Sequence, residues 1–115
     1  MPTIVVFGVR GDGERVRLST LLIRAMTSTE GLQVTAEHVT ITFVEAAIYT
    51  SNPMAARPVS AFVFLQRKAG RTHEIIADLK ERVCASIATE VPKGTKICCR
   101  VRHGEPIDFK VMTVM

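Results

Sequence analysis

The sequence is poor in aromatic residues, lacks long apolar segments and contains few cysteines. Tryptophan is absent, and phenylalanine and tyrosine together make up 5% of the chain. The stacking platforms with which single-strand nucleic-acid binders hold bases are therefore poorly supplied. No apolar run approaches the roughly 20 residues that a membrane-spanning helix needs. We therefore expect no membrane association, and we regard nucleic acid as a poor candidate partner.

The cysteines number three, Cys84, Cys98 and Cys99. An odd number in a chain without an export signal favours free thiols in a reducing compartment. The start, Met1-Pro2-Thr3, has no basic region ahead of an apolar stretch and is not a secretory signal. These features predict a cytoplasmic protein.

Metal-binding and phosphate-binding motifs are also missing. No histidine has zinc-ligand spacing with a cysteine. Cys98 and Cys99 would point to opposite faces of a strand, so they suit neither one metal ion nor a relaxed disulfide, and we expect them to pack in the core. The glycine-rich segment 8–13 lacks the Gly-x-x-x-x-Gly-Lys pattern of a phosphate loop. We predict no metal and no cofactor.

What remains is the composition of one small globular domain. The chain has 115 residues, of which 47% are hydrophobic and 23% charged, so we expect a single domain over residues 1–115. Its formal charge of +4 favours an anionic partner such as a small carboxylate. A domain of this size buries a modest share of its surface, which makes oligomerisation a reasonable source of stability.

Apolar periodicity predicts strands and helices in alternation. Short runs rich in β-branched residues indicate four strands, and apolar residues at helical spacing indicate two helices. The first helix should begin at Gly11–Glu14 and end near 28–31, and the second should be capped by Thr72 and stop at 92–94. The predicted strands are Thr3–Val9, Val39–Val44, Ser60–Gln66 and Lys96–Arg102, with a loop over 46–57 and a short edge strand in 104–115.

The order strand-helix-strand occurs twice, in pseudo-repeats of about 1–45 and 59–103. Two such units can share one four-stranded sheet with both helices packed on one face. The predicted fold is therefore α+β, a two-layer sandwich of duplicated β-α-β units. A ferredoxin-like fold has the same element order, so the order alone leaves both open.

Pro2 is the most informative residue for chemistry. Removal of Met1 would leave a secondary amine at the chain terminus, directly ahead of an apolar strand. Burial beside cationic side chains disfavours the protonated amine and lowers its pKa. Such a base can remove a proton from a carbon next to a carbonyl and return it elsewhere. If Met1 stays attached, Pro2 is an amide and has no such role.

Several short motifs give the chain a resemblance to a known family. They are the opening Met1-Pro2-Thr3-Ile4-Val5, the segment Ala61-Phe62-Val63, the turn Lys68-Ala69-Gly70-Arg71 and the tail Ile107-Asp108-Phe109-Lys110. Together with the chain's size, they resemble the tautomerase superfamily, which has the macrophage migration inhibitory factor-like fold. Within it, the chain is most similar to 5-carboxymethyl-2-hydroxymuconate isomerases.

The resemblance implies a homotrimer with three sites near subunit contacts. It implies that Pro2 acts as general base and that Arg71, the arginine after the Ala-Gly pair, binds a substrate carboxylate. Arg71 also has independent support, because a guanidinium in a turn at a strand end can hold a carboxylate through two parallel bonds. We expect an apolar wall from Ile4 or Phe62.

One position departs from the family pattern. Related isomerases have a second arginine at the start of the second strand, where this chain has Glu37-His38-Val39. His38 could substitute in part as a hydrogen-bond donor. Arg10 and Arg57 are the other candidates for the missing cation, so a substrate with two carboxylates is in question.

Three functions follow from these features. The favoured one is a cofactor-independent isomerase that catalyses a 1,3-proton transfer, either a keto-enol or a double-bond shift, on an unsaturated keto acid such as a hydroxymuconate or on a related enol. The second is a non-enzymatic ferredoxin-like module that binds nucleic acid or a regulatory ligand, although its strands lack the paired aromatics of an RNA-recognition sheet. The third is a tautomerase-fold protein that has lost activity.

Overall fold

A computed structural model of the protein describes residues 2–44, 59–66 and 70–104. It contains four strands, two α-helices and one short 3₁₀ turn over Ala36–His38. The elements in chain order are β1 (Thr3–Phe7), α1 (Asp12–Ser28), β2 (Thr40–Val44), β3 (Val59–Gln66), α2 (His73–Ala88) and β4 (Ile97–Gly104). The predicted loop over 46–57 lies outside the described residues, as does the predicted edge strand in 104–115 apart from Gly104, which ends β4.

The strands form one mixed sheet in the order β2-β1-β3-β4. β1 is parallel to β2, β3 is parallel to β4, and the two central strands are antiparallel. In the split β-α-β unit of a ferredoxin-like fold, another strand separates the two strands of each unit. Here β1 and β2 are hydrogen-bonded neighbours, so the ferredoxin-like alternative is wrong and the two-layer sandwich is confirmed.

The core lies between one face of the sheet and the two helices. Alternation along β3 buries every second residue, and the same alternation buries Ile4 and Val6 in β1. The helices supply the facing layer at the spacing expected from sequence, with full burial of each large apolar side chain stabilising the fold by about 1.5–3 kcal/mol. The helical residues buried there are Leu18, Leu22, Ala25, Met26, Leu79, Val83 and Ile87.

Local chemistry explains where the helices begin and end. α1 starts after Gly11, whose φ of +94° suits glycine, and carries Asp12 and Glu14 in its first turn. The predicted cap of α2 is confirmed, because the Thr72 hydroxyl accepts from the Ile75 N–H at 3.4 Å. β1 is shorter than predicted, since Gly8 (φ +94°) turns the chain after Phe7.

The cysteines were predicted to pack in the core, and that prediction is wrong for one of them. Cys99 is half-buried against the core, whereas Cys98 is exposed on the opposite face of β4. Burial and the neighbouring Cys84 raise the pKa of the Cys99 thiol to about 12. The prediction that the two cysteines point to opposite faces of the strand is therefore confirmed, whereas the prediction that both pack in the core is wrong.

None of the helices within the described ranges is both long and apolar enough to cross a membrane.

Candidate functional site

The candidate site lies at the end of the sheet where β1 and β2 begin and β3 ends. The parallel register sets Thr3 beside Thr40, and the antiparallel register sets Thr3 beside Phe64. Pro2 is held to β2 because its carbonyl accepts from the Thr40 N–H at 3.0 Å. Arg71, ahead of α2, and the segment leaving α1 also meet at this end, because Arg71 donates to the carbonyls of Gln66 and Leu32. Four separate parts of the sequence thus converge around Pro2.

A cavity of about 310 Å³ opens at this point. Three of the four candidate site residues in the described part of the chain line it together: Pro2, Arg71 and His38. Sequence reasoning missed the other lining residues, which are Gln33, Val34, Thr35 and Gln66.

Arg71 forms a fixed wall of this cavity. Its Nε donates to the Leu32 carbonyl at 2.9 Å, and its Nη1 donates to the Gln66 carbonyl at 2.6 Å. These bonds tie the segment after α1 to the end of β3. Burial lowers the pKa of the Arg71 guanidinium, yet an arginine stays charged in proteins. Because a guanidinium has five N–H groups, it retains donors for an anionic ligand.

His38 closes the 3₁₀ turn that leads into β2. Its Nδ1 lies 2.6 Å from the Thr35 hydroxyl oxygen, and its backbone N–H donates to the Thr35 carbonyl at 3.0 Å. The side chain is exposed on the cavity side of the turn. The turn therefore holds an imidazole in the same cavity as Pro2.

Three of the four missed residues, Gln33, Val34 and Thr35, come from the irregular segment after α1, whereas Gln66 is the last residue of β3. Gln33 is the non-glycine residue with positive φ (+60°) among the described residues, a conformation that costs about 1–2 kcal/mol. Strain of this kind often accompanies functional sites. Neither periodicity nor a motif marks these residues in the sequence, because the segment belongs to no regular element.

Arg10 lies elsewhere. It follows the carboxyl end of β1 and is exposed, so it sits at the opposite end of the sheet from Pro2 and does not line the cavity. Arg57 is outside the described residues. The predicted apolar wall also differs: Ile4 is buried in the core, Phe62 packs edge-on against Phe7 at 5.8 Å between ring centroids, and neither lines the cavity.

The cavity brings together groups with complementary chemistry. Pro2 is half-buried, Arg71 supplies a positive charge, and His38 supplies a hydrogen-bonding imidazole. With Met1 removed, the Pro2 nitrogen would be an amine near a cation, and both burial and that charge disfavour its protonated form. In a chain without Met1, this arrangement would place an amine next to a cation that can bind an anion.

Comparison with known proteins gives matches in structure alone. No family model and no curated protein matches the chain. A fused 4-OT protein, described as a symmetric trimer, matches with a TM-score of 0.73 at 17% identity, covering 99% of this chain and 93% of its own. FG41 malonate semialdehyde decarboxylase matches with a TM-score of 0.61 at 16% identity, and the match covers 98% of this chain and 89% of the decarboxylase chain. N1, a member of the cis-3-chloroacrylic acid dehalogenase family, matches with a TM-score of 0.68 at 17% identity, and the match covers 95% of this chain and 79% of the N1 chain.

These neighbours are members of the tautomerase superfamily, and at such identities the likeness shows the fold. The resemblance inferred from sequence is therefore confirmed at the level of fold. The finer similarity to 5-carboxymethyl-2-hydroxymuconate isomerases finds no support among them.

Proposed function

We propose that this chain is a tautomerase-type isomerase that catalyses a 1,3-proton transfer, either a keto-enol or a double-bond shift, on an unsaturated keto acid or a related enol. The observation that carries the proposal is the cavity shared by Pro2, Arg71 and His38. Those three residues come from separate parts of the chain, and the sequence had suggested each of them for the same chemistry. The fold shared with tautomerase superfamily members adds to this support.

Pro2 would act as the general base. Its amine, uncovered by removal of Met1, takes a proton from the carbon next to the carbonyl, and the electron pair of that C–H bond moves toward the carbonyl oxygen to give a dienolate. The protonated amine then returns the proton to the carbon at the other end of the conjugated system. With an enol such as phenylenolpyruvate, the amine takes the hydroxyl proton, and the protonated amine gives a proton to C3 as the C=O bond forms. No redox change occurs, so the chemistry balances without a cofactor. General acid–base catalysis of this kind is worth about 10²- to 10⁴-fold in rate.

Arg71 would bind the substrate carboxylate. Its guanidinium is already oriented by the carbonyls of Leu32 and Gln66, so little side-chain freedom is lost when a ligand binds. A cation next to the reacting carbons also stabilises negative charge that develops on the dienolate. We propose a small anionic carboxylate as substrate, with a hydroxymuconate as one example.

We further propose that the protein is a homotrimer. The face of the sheet opposite the helices carries the half-buried apolar side chains of Val5, Phe7, Phe62 and Phe64. A partly covered apolar face on a small domain favours association. The fused 4-OT neighbours are described as trimers.

The experiment compares Pro2→Ala with the wild type in the ketonisation of phenylenolpyruvate and 2-hydroxymuconate. Intact mass first establishes that Met1 is absent. Pro92→Ala, at an exposed proline after α2, is the matched control. We expect Pro2→Ala to lose about 10²-fold or more in kcat and Pro92→Ala to match the wild type. Equal rates for Pro2→Ala and wild type would exclude the proposal.

A further inference from the structure

Thr35 and His38 form a side-chain hydrogen bond at the edge of the cavity. Thr35 is the residue before the 3₁₀ turn, but its hydroxyl makes no capping bond to the turn's backbone. The hydroxyl oxygen lies instead 2.6 Å from Nδ1 of His38, and both residues line the cavity that holds Pro2. The Thr35 hydroxyl therefore bonds the imidazole of His38 and does not cap the turn.

The Thr35–His38 contact is a hydrogen bond at 2.6 Å, and the tautomer of the imidazole determines which of the two atoms donates. If the Thr35 hydroxyl donates to Nδ1, that nitrogen must present a lone pair. The imidazole is then neutral, and its single N–H is on Nε2. Since Nδ1 is engaged, Nε2 is the ring nitrogen left for a ligand.

From this geometry we infer that His38 is a catalytic residue whose Nε2–H donates to the substrate's carbonyl oxygen, and that Thr35 is the positioning residue that fixes the tautomer. The inference rests on the proposed function and assigns its second hydrogen-bonding group. As Pro2 removes the proton, charge develops on the carbonyl oxygen, and a neutral N–H donor already in place stabilises it. His38 keeps its proton throughout, so the proton that moves is the one carried by Pro2.

This assignment also narrows the substrate class. A neutral imidazole donor suits a carbonyl or enolate oxygen better than it suits a second carboxylate, for which a bidentate cation is the stronger partner. The substrate expected from this inference is a 2-oxo acid whose carboxylate binds Arg71 and whose carbonyl oxygen accepts from His38.

The first test reads the tautomer without using activity. Long-range ¹H–¹⁵N spectra of the imidazoles, assigned with His38→Gln and His73→Gln, report which nitrogen of His38 carries the proton. We expect the proton on Nε2 in the wild type and in Thr35→Ser, and a mixture of tautomers in Thr35→Val, which has lost the hydroxyl. A wild-type ring with its proton on Nδ1 would overturn the inference.

The second test uses phenylenolpyruvate ketonisation. His38→Phe should lose about 10²-fold in kcat, as expected for removal of one oxyanion donor. Thr35→Val should lose about three- to tenfold in kcat with KM nearly unchanged, as expected for one hydrogen bond. Thr35→Ser keeps the hydroxyl and should therefore have a kcat close to that of the wild type.

The variants also separate the two proposals. If Pro2→Ala abolishes activity while His38→Phe and Thr35→Val keep the wild-type kcat, the role of His38 is wrong and the proposed function stands. If Pro2→Ala itself keeps full activity, the proposed function fails, and the tautomer spectra still decide the Thr35–His38 geometry. Thermal unfolding of each variant shows whether a lost rate reflects a lost fold.

Discussion

The two halves of the sequence share a spacing, in which a proline directly precedes the first strand and an arginine stands two residues before the helix. Pro2 precedes β1, and Pro58, outside the described residues, precedes β3 in sequence. Arg10 and Arg71 each stand two residues before the start of a helix. Because the central strands are antiparallel, Arg71 lies at the Pro2 end, whereas Arg10 lies at the opposite end.

The two arginines differ in what surrounds them. Arg71 is half-buried and donates to two carbonyls from different segments, while Arg10 is exposed. At the opposite end, the loop after β1 is held by a helix residue, since Arg15 Nε donates to the Val9 carbonyl at 3.1 Å. The two arginines have the same spacing to a helix, but their surroundings differ. The segment after α1 packs against Arg71 and supplies the Leu32 carbonyl that accepts from it, whereas Arg10 is exposed.

The prolines differ in chemistry. An internal proline such as Pro58 is an amide and has no basic lone pair, whereas Pro2 becomes an amine once Met1 is removed. The proposed chemistry uses a chain terminus and an anchored arginine at the same end of the sheet. With Met1 removed, the Pro2 end would supply both, since half-buried Arg71 lies there.

Exchange of the two arginines for alanine should give the largest contrast. Arg71→Ala should raise KM for phenylenolpyruvate about 10- to 100-fold, because a hydrogen-bonded charge contributes about 1.5–3 kcal/mol to binding. It should also lower the free energy of unfolding by about 1–3 kcal/mol, since two carbonyls lose their donor. Steady-state kinetics and urea unfolding measure the two effects.

Arg10→Ala is the matched control and should stay within about 0.5 kcal/mol of the wild type in stability, as usual for an exposed side chain. An equal rise in KM for both variants would contradict the assignment of the site to the Pro2 end.

A second contrast compares the outer sheet face with the outer face of α1. Phe62→Glu places a charge among half-buried apolar side chains and should dissociate the proposed trimer, because burial of an unpaired charge is costly. Val16→Glu is the control, since Val16 is 68% exposed on α1. Sedimentation velocity distinguishes trimer from monomer. A trimer that survives Phe62→Glu and is lost in Val16→Glu would place the interface on the helices.

The last prediction concerns only stability, and it tests the segment that contains Leu32, whose carbonyl accepts from Arg71. Gly31 has φ +84°, and a Cβ added there would lie 2.6 Å from Cδ1 of Ile75. Gly31→Ala should destabilise by roughly 1–3 kcal/mol, combining backbone strain with a clash. Gly94→Ala, at φ +92° with nothing within 4 Å of the new Cβ, should show the strain alone. Thermal unfolding compares them, and equal losses would mean that the Ile75 contact is unimportant.

Much of the fold could be predicted from sequence because it depends on periodic burial. Alternation in β3 and the helical spacing of residues such as Leu18 and Leu79 indicate which faces meet. The Thr72 cap was predictable because a hydroxyl before a helix has a specific partner in the first turn. The order of the strands in the sheet could not be predicted, because the ferredoxin-like fold and the observed fold have the same order of elements along the chain.

The site was predictable where a residue carries its own chemistry and not where position alone matters. Pro2, Arg71 and His38 stand out by residue type. Gln33, Val34 and Thr35 come from an irregular segment whose course is set by tertiary packing, so no local pattern indicates them. The Thr35–His38 contact in particular depends on a 3₁₀ turn that sequence reasoning did not anticipate.

The central claim is that the Pro2 nitrogen works as a free amine. The most direct test starts from protein that retains Met1 and follows phenylenolpyruvate ketonisation and intact mass while methionine aminopeptidase removes that residue. The account predicts a rate at least about 10²-fold lower before removal, rising in proportion to the fraction of chains that begin with Pro2. A rate that stays constant as Met1 is lost would contradict it.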